Sequence, residues 1–415
     1  MQLNEYEKAM LSGAFGRGRA EALRQQIQVG EFFDAPDFVS VSQVHMMADT
    51  ESLGEAGVAY LEDLAALPEE ERTVLVPTVT DPRGIDLCRY QRLKQRVEWV
   101  TLEQRTIDAL QRLGILLTDT CINYQTVQPP VYGEHLAFGD TGSVIYANSV
   151  CGARSNFEGG PAALNAALTG RVPRYGYHLN ERRRGTHLFE VRFTPRDWSD
   201  WGALGALVGQ RSGSYWSVPV ITGIDSTPTS DALKHFGAAL ASYGSVPLFH
   251  MLGVTPEALQ DARSLFEQEP PPAISLQDSD VEAFYRSLGG HRGQVDVVAL
   301  AAPQLSLLEL QRVAGLLGDR HVHEGTDLVI ATSPEIKAAC DRLGITAVIE
   351  GAGGILLEGV CFYQMYARET GALNGWRHLV SNSAKLVNII QGYDYEPRLA
   401  TTEQCIDAAV NGRLD

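Results

Sequence analysis

Residues 143–176 read SVIYANSVCGARSNFEGGPAALNAALTGRVPRYG, and this stretch decides the fold. The apolar run Val144–Ala147 predicts a strand, and the small and polar residues after it predict a tight loop. Pro161 at a first helical position and Gly170 just past the end predict a helix between them. The pattern is therefore strand, loop and helix, with the free N–H groups of a helix N-terminus next to the loop.

Two charged side chains of this stretch could serve a binding site. Arg154 can donate a forked pair of hydrogen bonds to a carboxylate or phosphate, and Glu158 can transfer protons. The alternative is structural, with Arg154 and Glu158 paired on each other in an ordinary strand-to-helix connection. A ligand held there would be an anion, because the partial positive charge of a helix N-terminus favours negative groups.

The composition indicates a soluble globular protein. The chain has 415 residues, 44% hydrophobic and 20% charged, and this length predicts two or three domains. The formal net charge of −17 argues against nucleic acid or an anionic membrane as a partner. The start, MQLNEYEKAM, lacks the pattern of an export signal, and no apolar run approaches the roughly 20 residues of a membrane span.

The cysteines are dispersed and form no CxxC motif, which favours reduced thiols and a cytoplasmic location. They are Cys88, Cys121, Cys151, Cys340, Cys361 and Cys405.

Strand and helix patterns alternate along the chain, and repeated βαβ units predict an α/β fold with several parallel sheets covered by helices. Predicted strands include residues 38–45, 73–80, 144–147, 295–302 and 345–351, and predicted helices include 51–67, 89–113 and 231–244. Approximate domain borders follow from the same pattern. They give an N-terminal domain at 1–184, a middle domain at 185–289 and a C-terminal domain at 290–415.

The run NSVCGARSNFEGGP, residues 148–161, resembles the signature of the aconitase X family. The likeness extends over nearly the whole chain, as the large subunit of that family. Its other motifs contain Ser42 and His45 (VSVSQVHM), Asp81 (VPTVTDPRGIDL, where Asn is usual), Cys121 and Tyr124 (TDTCINY), Glu134 and His135 (YGEHLAFGD), His250, Thr255 and Glu257 (VPLFHMLGVTPEA), and Asn382, Ser383 and Lys385 (VSNSAKLVNII).

The resemblance implies an aconitase-like fold of several α/β domains around a central cleft. It implies dehydration of a small hydroxy acid, as in relatives acting on mevalonate 5-phosphate or cis-3-hydroxy-L-proline. It also implies an iron–sulfur cluster held by three cysteines, and a small swivelling domain that closes the cleft and carries a catalytic serine. Since no such domain fits into these residues, the resemblance implies a small subunit as a separate chain.

The sequence departs from the family at the cluster cysteines. Ala302 replaces the second in the run Ala301–Ser306, and Ala352 replaces the third in Glu350–Ala352, which leaves Cys121 as the remnant position. One thiolate cannot hold a cluster, so no iron–sulfur cluster is expected.

Without an iron atom acting as Lewis acid, hydroxide is a poor leaving group. Three outcomes follow. A mononuclear metal could bind through oxygen and nitrogen ligands, with Glu134, His135, His250 and Glu350 as candidates. A protonated acid or a better leaving group could serve without a metal. Finally, the chain could have lost catalysis and be a non-catalytic partner subunit or a ligand-binding relic.

The leading hypothesis is a dehydratase-type lyase or an isomerase that acts on a small hydroxy acid without a cluster. The candidate catalytic residues are Glu134, His135, Tyr124 and Lys385. The candidate substrate-binding residues are Asn148, Ser149, Gly152, Ala153, Arg154, Asn156, Gly159, Gly160, Asn382, Ser383, His45 and His250.

Overall fold

Parallel β-sheets organise the protein, which confirms the α/β prediction. The computed structural model describes residues 1–289 and 293–414. It contains parallel sheets of three, four and five strands and two antiparallel strand pairs. The predicted domain border at 289 adjoins residues 290–292, which lie outside the described residues.

A three-stranded parallel sheet organises the N-terminal part. The elements are α1 (Glu5–Leu11), α2 (Arg17–Phe32), β1 (Phe38–Ser40), β2 (Val44–Met46), α3 (Thr50–Ala65), α4 (Glu69–Arg72), β3 (Thr78–Thr80), α5 (Val97–Arg112), β4 (Ala137–Phe138), α6 (Thr141–Ser149), α7 (Gly160–Thr169) and β5 (Arg171–Pro173). The sheet has the order β3–β2–β4, and β1 pairs antiparallel with β5.

A four-stranded parallel sheet follows in the middle part. The elements are β6 (His187–Val191), α8 (Trp198–Ser212), β7 (Pro219–Thr222), α9 (Ser230–Gly244), β8 (His250–Met251), β9 (Ile274–Leu276) and α10 (Asp278–Ser287). The sheet order is β8–β7–β6–β9. Helices α8 and α9 approach closely at Gly205, where a Cβ atom would collide with the carbonyl of Phe236.

The C-terminal part holds the largest sheet. The elements are β10 (Gly293–Gln294), β11 (Val297–Leu305), α11 (Leu307–Leu317), β12 (Asp327–Thr332), α12 (Pro334–Leu343), α13 (Ile345–Gly351), β13 (Ile355–Glu358), α14 (Ala367–Asn374), β14 (His378–Ser381), α15 (Ala384–Ile390), β15 (Glu396–Leu399), α16 (Thr402–Asn411) and β16 (Arg413–Leu414). The order is β13–β12–β11–β14–β15, and β10 pairs with β16. Every residue of the central β11 is buried, as its continuous apolar sequence predicts.

Short 3-10 helices complete the chain. They lie at Asn123–Gln125, Gly176–His178, Asn180–Arg183, Arg263–Leu265, Phe362–Gln364 and Gln391–Tyr393. None of the helices in the described ranges combines the length and hydrophobicity needed to cross a bilayer.

The predicted strand at residues 144–147 is wrong, because these residues lie in α6. Asp140 caps this helix by accepting the N–H of Ser143. All residues from Gly142 to Ser149 are buried, so the segment is apolar on every side and shows no helical periodicity. The predicted helix after it is confirmed as α7, with Gly170 in the left-handed region at its end.

Other strand predictions also change. Residues 345–351 form α13, whose buried Ile345 and Ile349 have helical spacing, although β-branched residues favoured a strand. Residues 38–45 contribute to two separate strands, and the strand at 73–80 shortens to Thr78–Thr80. The long helix predicted at 89–113 begins only at Val97.

Candidate functional site

Charged side chains and thiols from the carboxyl ends of two parallel sheets meet in a buried group. Asp81 directly follows β3, and Asp140 lies two residues after β4. From the other sheet, Cys361 follows β13 and Lys385 lies in the first turn of α15, just after β14. We call these four residues, together with Cys121, the cleft. Ligands of open α/β sheets bind beyond the carboxyl ends of the strands, so this arrangement marks a candidate active site.

Lys385 and Asp140 form a buried ion pair across the cleft. Their side chains are each 4% exposed, and Lys385 Nζ lies 3.0 Å from Asp140 Oδ1. Burial opposes both charges, but Lys385 lowers the pKa of Asp140, and Asp140 raises the pKa of Lys385. Both groups are therefore charged at neutral pH.

Asp81 lies beside this pair without a cation of its own. Its side chain is 2% exposed, and its Oδ1 has no hydrogen-bond partner among the described residues. His45 Nε2 is 3.5 Å from that oxygen but 2.8 Å from the carbonyl of Thr120, to which it donates. Burial lowers the pKa of His45, which is therefore neutral. Burial and then the charge of Asp140 raise the pKa of Asp81 well above its usual range, although Lys385 and the Gln364 amide lower it, and the net shift favours the protonated form.

Two thiols meet in the cleft beside one alanine. Cys121 Sγ accepts the backbone N–H of Gln304 at 3.4 Å, and the Gln304 amide donates to the carbonyl of Val360 at 3.5 Å. Cys361 follows Val360 and packs in the same apolar cluster as Ala302. Burial raises the pKa of Cys121 to about 12 and the pKa of Cys361 well above its usual range, with Cys121 adding to the latter shift.

The expectation that Ala352 marks a cluster position and that Cys121 alone survives is wrong. Ala352 follows α13 and packs on the opposite face of the C-terminal sheet, among residues such as Leu328 and Leu356. Cys361 stands beside Cys121 instead. The cleft thus offers two thiols near Ala302, and this donor set does not fit a cluster held by three cysteines.

The candidate oxygen and nitrogen ligands for a mononuclear metal do not converge. Glu350 pairs with Arg89, whereas Glu134 and His135 lie in another group described below. Within residues 1–289 and 293–414, no set of three or more His, Cys, Asp or Glu side chains is arranged to hold a metal ion.

Glu158 is a further buried carboxyl at the edge of the N-terminal sheet. Its backbone N–H donates to the carbonyl of Phe138, the last residue of β4. Its Oε1 has no partner among the described residues, and burial raises its pKa to about 7. It can therefore accept and release a proton near neutral pH.

Arg154 does not pair with Glu158 but lies in a basic cavity of about 380 Å³. Its guanidinium donates to the carbonyl of His178 at 3.1 Å and to Asn180 Oδ1 at 2.5 Å. Other residues that line this basic cavity are Arg183, Arg184, His250 and Glu257. Its charges suit an anion, and a clamping role for Arg154 stays a prediction.

Glu134 and His135 lie with Arg154 rather than in the cleft. A ring nitrogen of His135 is 2.9 Å from His178 Nδ1, and Glu134 accepts the hydroxyl of Ser42 at 2.5 Å. Helix α6 separates the basic cavity from the cleft. Asp140 caps the beginning of this helix. At its end, the carbonyl of Asn148 accepts a hydrogen bond from the guanidinium of Arg183. A helix of nine residues spans about 13 Å, so the predicted site residues form two groups.

Polar side chains of the loop after α6 hold the loop itself. Asn148 and Ser155 exchange two hydrogen bonds at 2.8 and 2.9 Å. Ser149 Oγ accepts the N–H of Phe249, and Asn156 Oδ1 accepts an N–H from residue 177. These contacts fix the loop between α6 and α7, and substrate contacts by these side chains stay predictions.

The small residues of the same loop allow neighbouring segments of the chain to pack closely against it. Gly152 is in the left-handed region with φ of +69°, and the neighbouring Ala153 is fully buried. Gly159 caps α7, and a Cβ on Gly160 would lie 2.8 Å from the carbonyl of Met47. The start of α7 therefore packs directly on the chain that leaves β2.

The motif after β14 forms hydrogen bonds that hold the residues of the cleft in place. Ser383 caps α15, and its hydroxyl donates to the carbonyl of Ala302 at 2.7 Å. Asn382 donates to the hydroxyl of Thr402 at 3.1 Å. These two side chains thereby fix Lys385 and Ala302 relative to each other.

Tyr124 and His250 are both buried. Tyr124 stacks on Tyr146 with ring centroids 4.0 Å apart, and burial raises its pKa well above its usual range. A ring nitrogen of His250 lies 2.7 Å from the carbonyl of Arg183. Tyr124 is therefore a neutral phenol near Cys121, and His250 belongs to the basic cavity.

The sequence prediction missed Asp140, left Asp81 and Cys361 without assigned roles, and gave Glu158 a possible role in proton transfer without retaining it among the candidate site residues. An available signal was the run Phe138-Gly139-Asp140, in which a helix-capping Asp follows a strand-like pair.

Parallel sheets and a buried charged cleft at their carboxyl ends define an α/β protein with an enzyme-type site. The chain belongs to the aconitase X family, because models of the first, second and third aconitase X domains match residues 1–181, 185–286 and 295–411. The predicted family and fold are thereby confirmed.

Curated relatives support the prediction of an enzyme. The chain is 34% identical over 391 residues to the phosphomevalonate dehydratase large subunit of Methanothermobacter thermautotrophicus, covering 94% of both chains. It is 30% identical to cis-3-hydroxy-L-proline dehydratase of Pseudomonas aeruginosa, over 99% of this chain and 70% of that protein. The crystal structure of holo-form aconitase X from Thermococcus kodakaraensis matches with a TM-score of 0.88 at 28% identity, over 99% of this chain and all of that chain.

Proposed function

We propose that the chain is the large, catalytic subunit of a lyase that removes water from a small hydroxy acid. Dehydratases among its curated relatives support the reaction class, and several are named for phosphomevalonate. Mevalonate 5-phosphate is therefore the first substrate to test, and cis-3-hydroxy-L-proline is the second.

The observation that carries the proposal is the set of carboxyl groups at the sheet edges. Asp140 is ionised against Lys385, and burial gives Glu158 a pKa of about 7. An elimination needs a positive group to orient the acid, and we assign this role to Lys385. Since Ala302 replaces one of the three cluster cysteines, we propose that the reaction proceeds without an iron–sulfur cluster.

We also propose a separate small subunit that closes the cleft. The relatives of this length are named large subunits, which supports a second chain. A cytoplasmic location is proposed from the cysteines, all six of which are free. The acidic net charge of −17 supports a small-molecule substrate rather than nucleic acid.

The test uses the chain purified anaerobically together with the small subunit. Mevalonate 5-phosphate and cis-3-hydroxy-L-proline are added separately, and the unsaturated product is followed by NMR. We expect turnover of one of them by protein that contains no acid-labile sulfide. Stoichiometric iron with sulfide would overturn the cluster-free reaction. Binding of both compounds without turnover would indicate a ligand-binding relic.

A further inference from the structure

The cleft contains an acidic side chain for which the proposed function has no role. Asp81 lies at the carboxyl end of β3, next to the central strand that carries His45. It is the residue after Thr80, whose backbone ends that strand. Its Oδ1 has no hydrogen-bond partner among the described residues, although the side chain is 2% exposed. A buried carboxyl oxygen without a partner costs folding energy, which points to a use in the bound state.

No cation of the cleft is available to Asp81. Lys385 is within range but already pairs with Asp140 at 3.0 Å. His45 gives its Nε2 proton to Thr120 and is neutral.

The other groups that face Asp81 are acids, thiols or amides. Asp49 adds a second negative neighbour, and the Gln364 amide is close. The thiols of Cys121 and Cys361 and the phenol of Tyr363 respond to the charge of Asp81, so they lie around it as well. Lys385 and the Gln364 amide lower the pKa of Asp81, but burial and the charges of Asp140 and Asp49 outweigh them.

We propose that Asp81 is the acid that donates a proton to the departing hydroxyl group of the substrate. This role rests on the proposed dehydratase function. A base takes the carbon-bound proton, the electron pair of that C–H bond becomes the new C=C bond, and the C–O bond breaks. The leaving oxygen takes the proton of Asp81 and departs as water. The Asp81 carboxylate then regains a proton from that base through solvent, so no oxidant or reductant is consumed.

The proposal explains how the reaction can proceed although Ala302 replaces a cluster cysteine. A cluster iron lowers the barrier by taking charge from the leaving oxygen. Proton donation to that oxygen removes the same charge, and it requires a carboxyl that stays protonated at neutral pH. Burial and Asp140 raise the pKa of Asp81 as this requires, whereas Lys385 keeps Asp140 ionised.

The test replaces Asp81 by the isosteric Asn. We expect D81N, in complex with the small subunit, to bind mevalonate 5-phosphate with an unchanged KM and to lose about 100- to 10,000-fold in kcat. The alkaline limb of the kcat profile, which reports deprotonation of Asp81, should disappear in D81N. Infrared spectroscopy at pH 7 should show a protonated carboxylic acid band in the wild type that is missing in D81N.

A matched control is E103Q. Glu103 is a buried carboxyl with a pKa raised to about 7 by burial, but it accepts a hydrogen bond from Thr50 and lies on α5. E103Q should keep full activity. A D81N variant that retains more than about a tenth of wild-type kcat, or a wild type without the Asp81 band, would overturn the proposal. Failure of the wild type to convert either compound would overturn the proposed function, and the role of Asp81 with it.

Discussion

Replacing Lys385 by Met tests whether the buried ion pair stabilises the cleft. At 3.0 Å and an effective dielectric constant of about 20, the attraction between Lys385 and Asp140 is about 5 kcal/mol. The removal of one partner leaves the other charge buried and typically costs about 3–5 kcal/mol. We therefore expect K385M to lower the free energy of unfolding by about 3–5 kcal/mol at pH 7.

The pH dependence has a defined sign. The pKa of Asp140 is lowered in the folded state, so its contribution is present above its unfolded pKa and is lost as the pH falls through the folded value. The pKa of Lys385 is raised, so its contribution is present below its unfolded pKa of about 10.4. The K385M defect should thus be largest near neutral pH and shrink in acid, where Asp140 becomes protonated.

Urea unfolding followed by circular dichroism measures this effect. The double variant D140N/K385M removes both charges and keeps an oxygen to cap α6, so it should lie within about 2 kcal/mol of the wild type. K8M is the matched control, because Lys8 and Glu5 form an exposed pair that should contribute nothing measurable. A K385M defect below about 1 kcal/mol, or a double variant as unstable as K385M, would refute the reasoning.

Two further substitutions test buried groups, one in the cleft and one outside it. A302C adds a third thiol beside Cys121 and Cys361, and anaerobic reconstitution should then give protein with both iron and acid-labile sulfide, whereas the wild type should take up no sulfide. E158Q tests the burial of Glu158, whose pKa rises from its usual 4.5 to about 7 in the fold. Wild-type stability therefore falls as the pH rises between these two values. In thermal unfolding, E158Q should be more stable than the wild type by about 3 kcal/mol at pH 8 and equal to it at about pH 4.

The sequence predicted those elements whose signals are local. Helix α7 has Pro161 near its start and Gly170 after its end, and Ser306 and Glu309 form a capping box at the start of α11. Helix α6 could not be predicted in this way. It is enclosed on all sides, and a buried helix has the same continuous apolar pattern as a buried strand.

The cleft was less predictable than the fold. Lys385 was found because it lies in a motif that resembles a known family. Asp140 and Cys361 are separated by more than two hundred residues, and only the packing of two sheets places them in one cleft. The basic cavity shows that residues in such motifs need not lie in the cleft. Glu134 and Arg154 also lie in motifs that resemble that family, yet helix α6 separates them from Lys385.

Charge balance links substrate binding in the cleft to proton uptake. The cleft holds the carboxyls of Asp81 and Asp140 but a single buried cation, Lys385. If both carboxyls were ionised, an incoming acid would add a third negative charge against one positive charge in a low-dielectric site. Protonation of Asp81 removes one of these charges and at the same time supplies the proton that the leaving group needs. The affinity for a hydroxy acid should therefore fall as the pH rises through the pKa of Asp81, and D81N should bind the same acid with an affinity that no longer follows that ionisation.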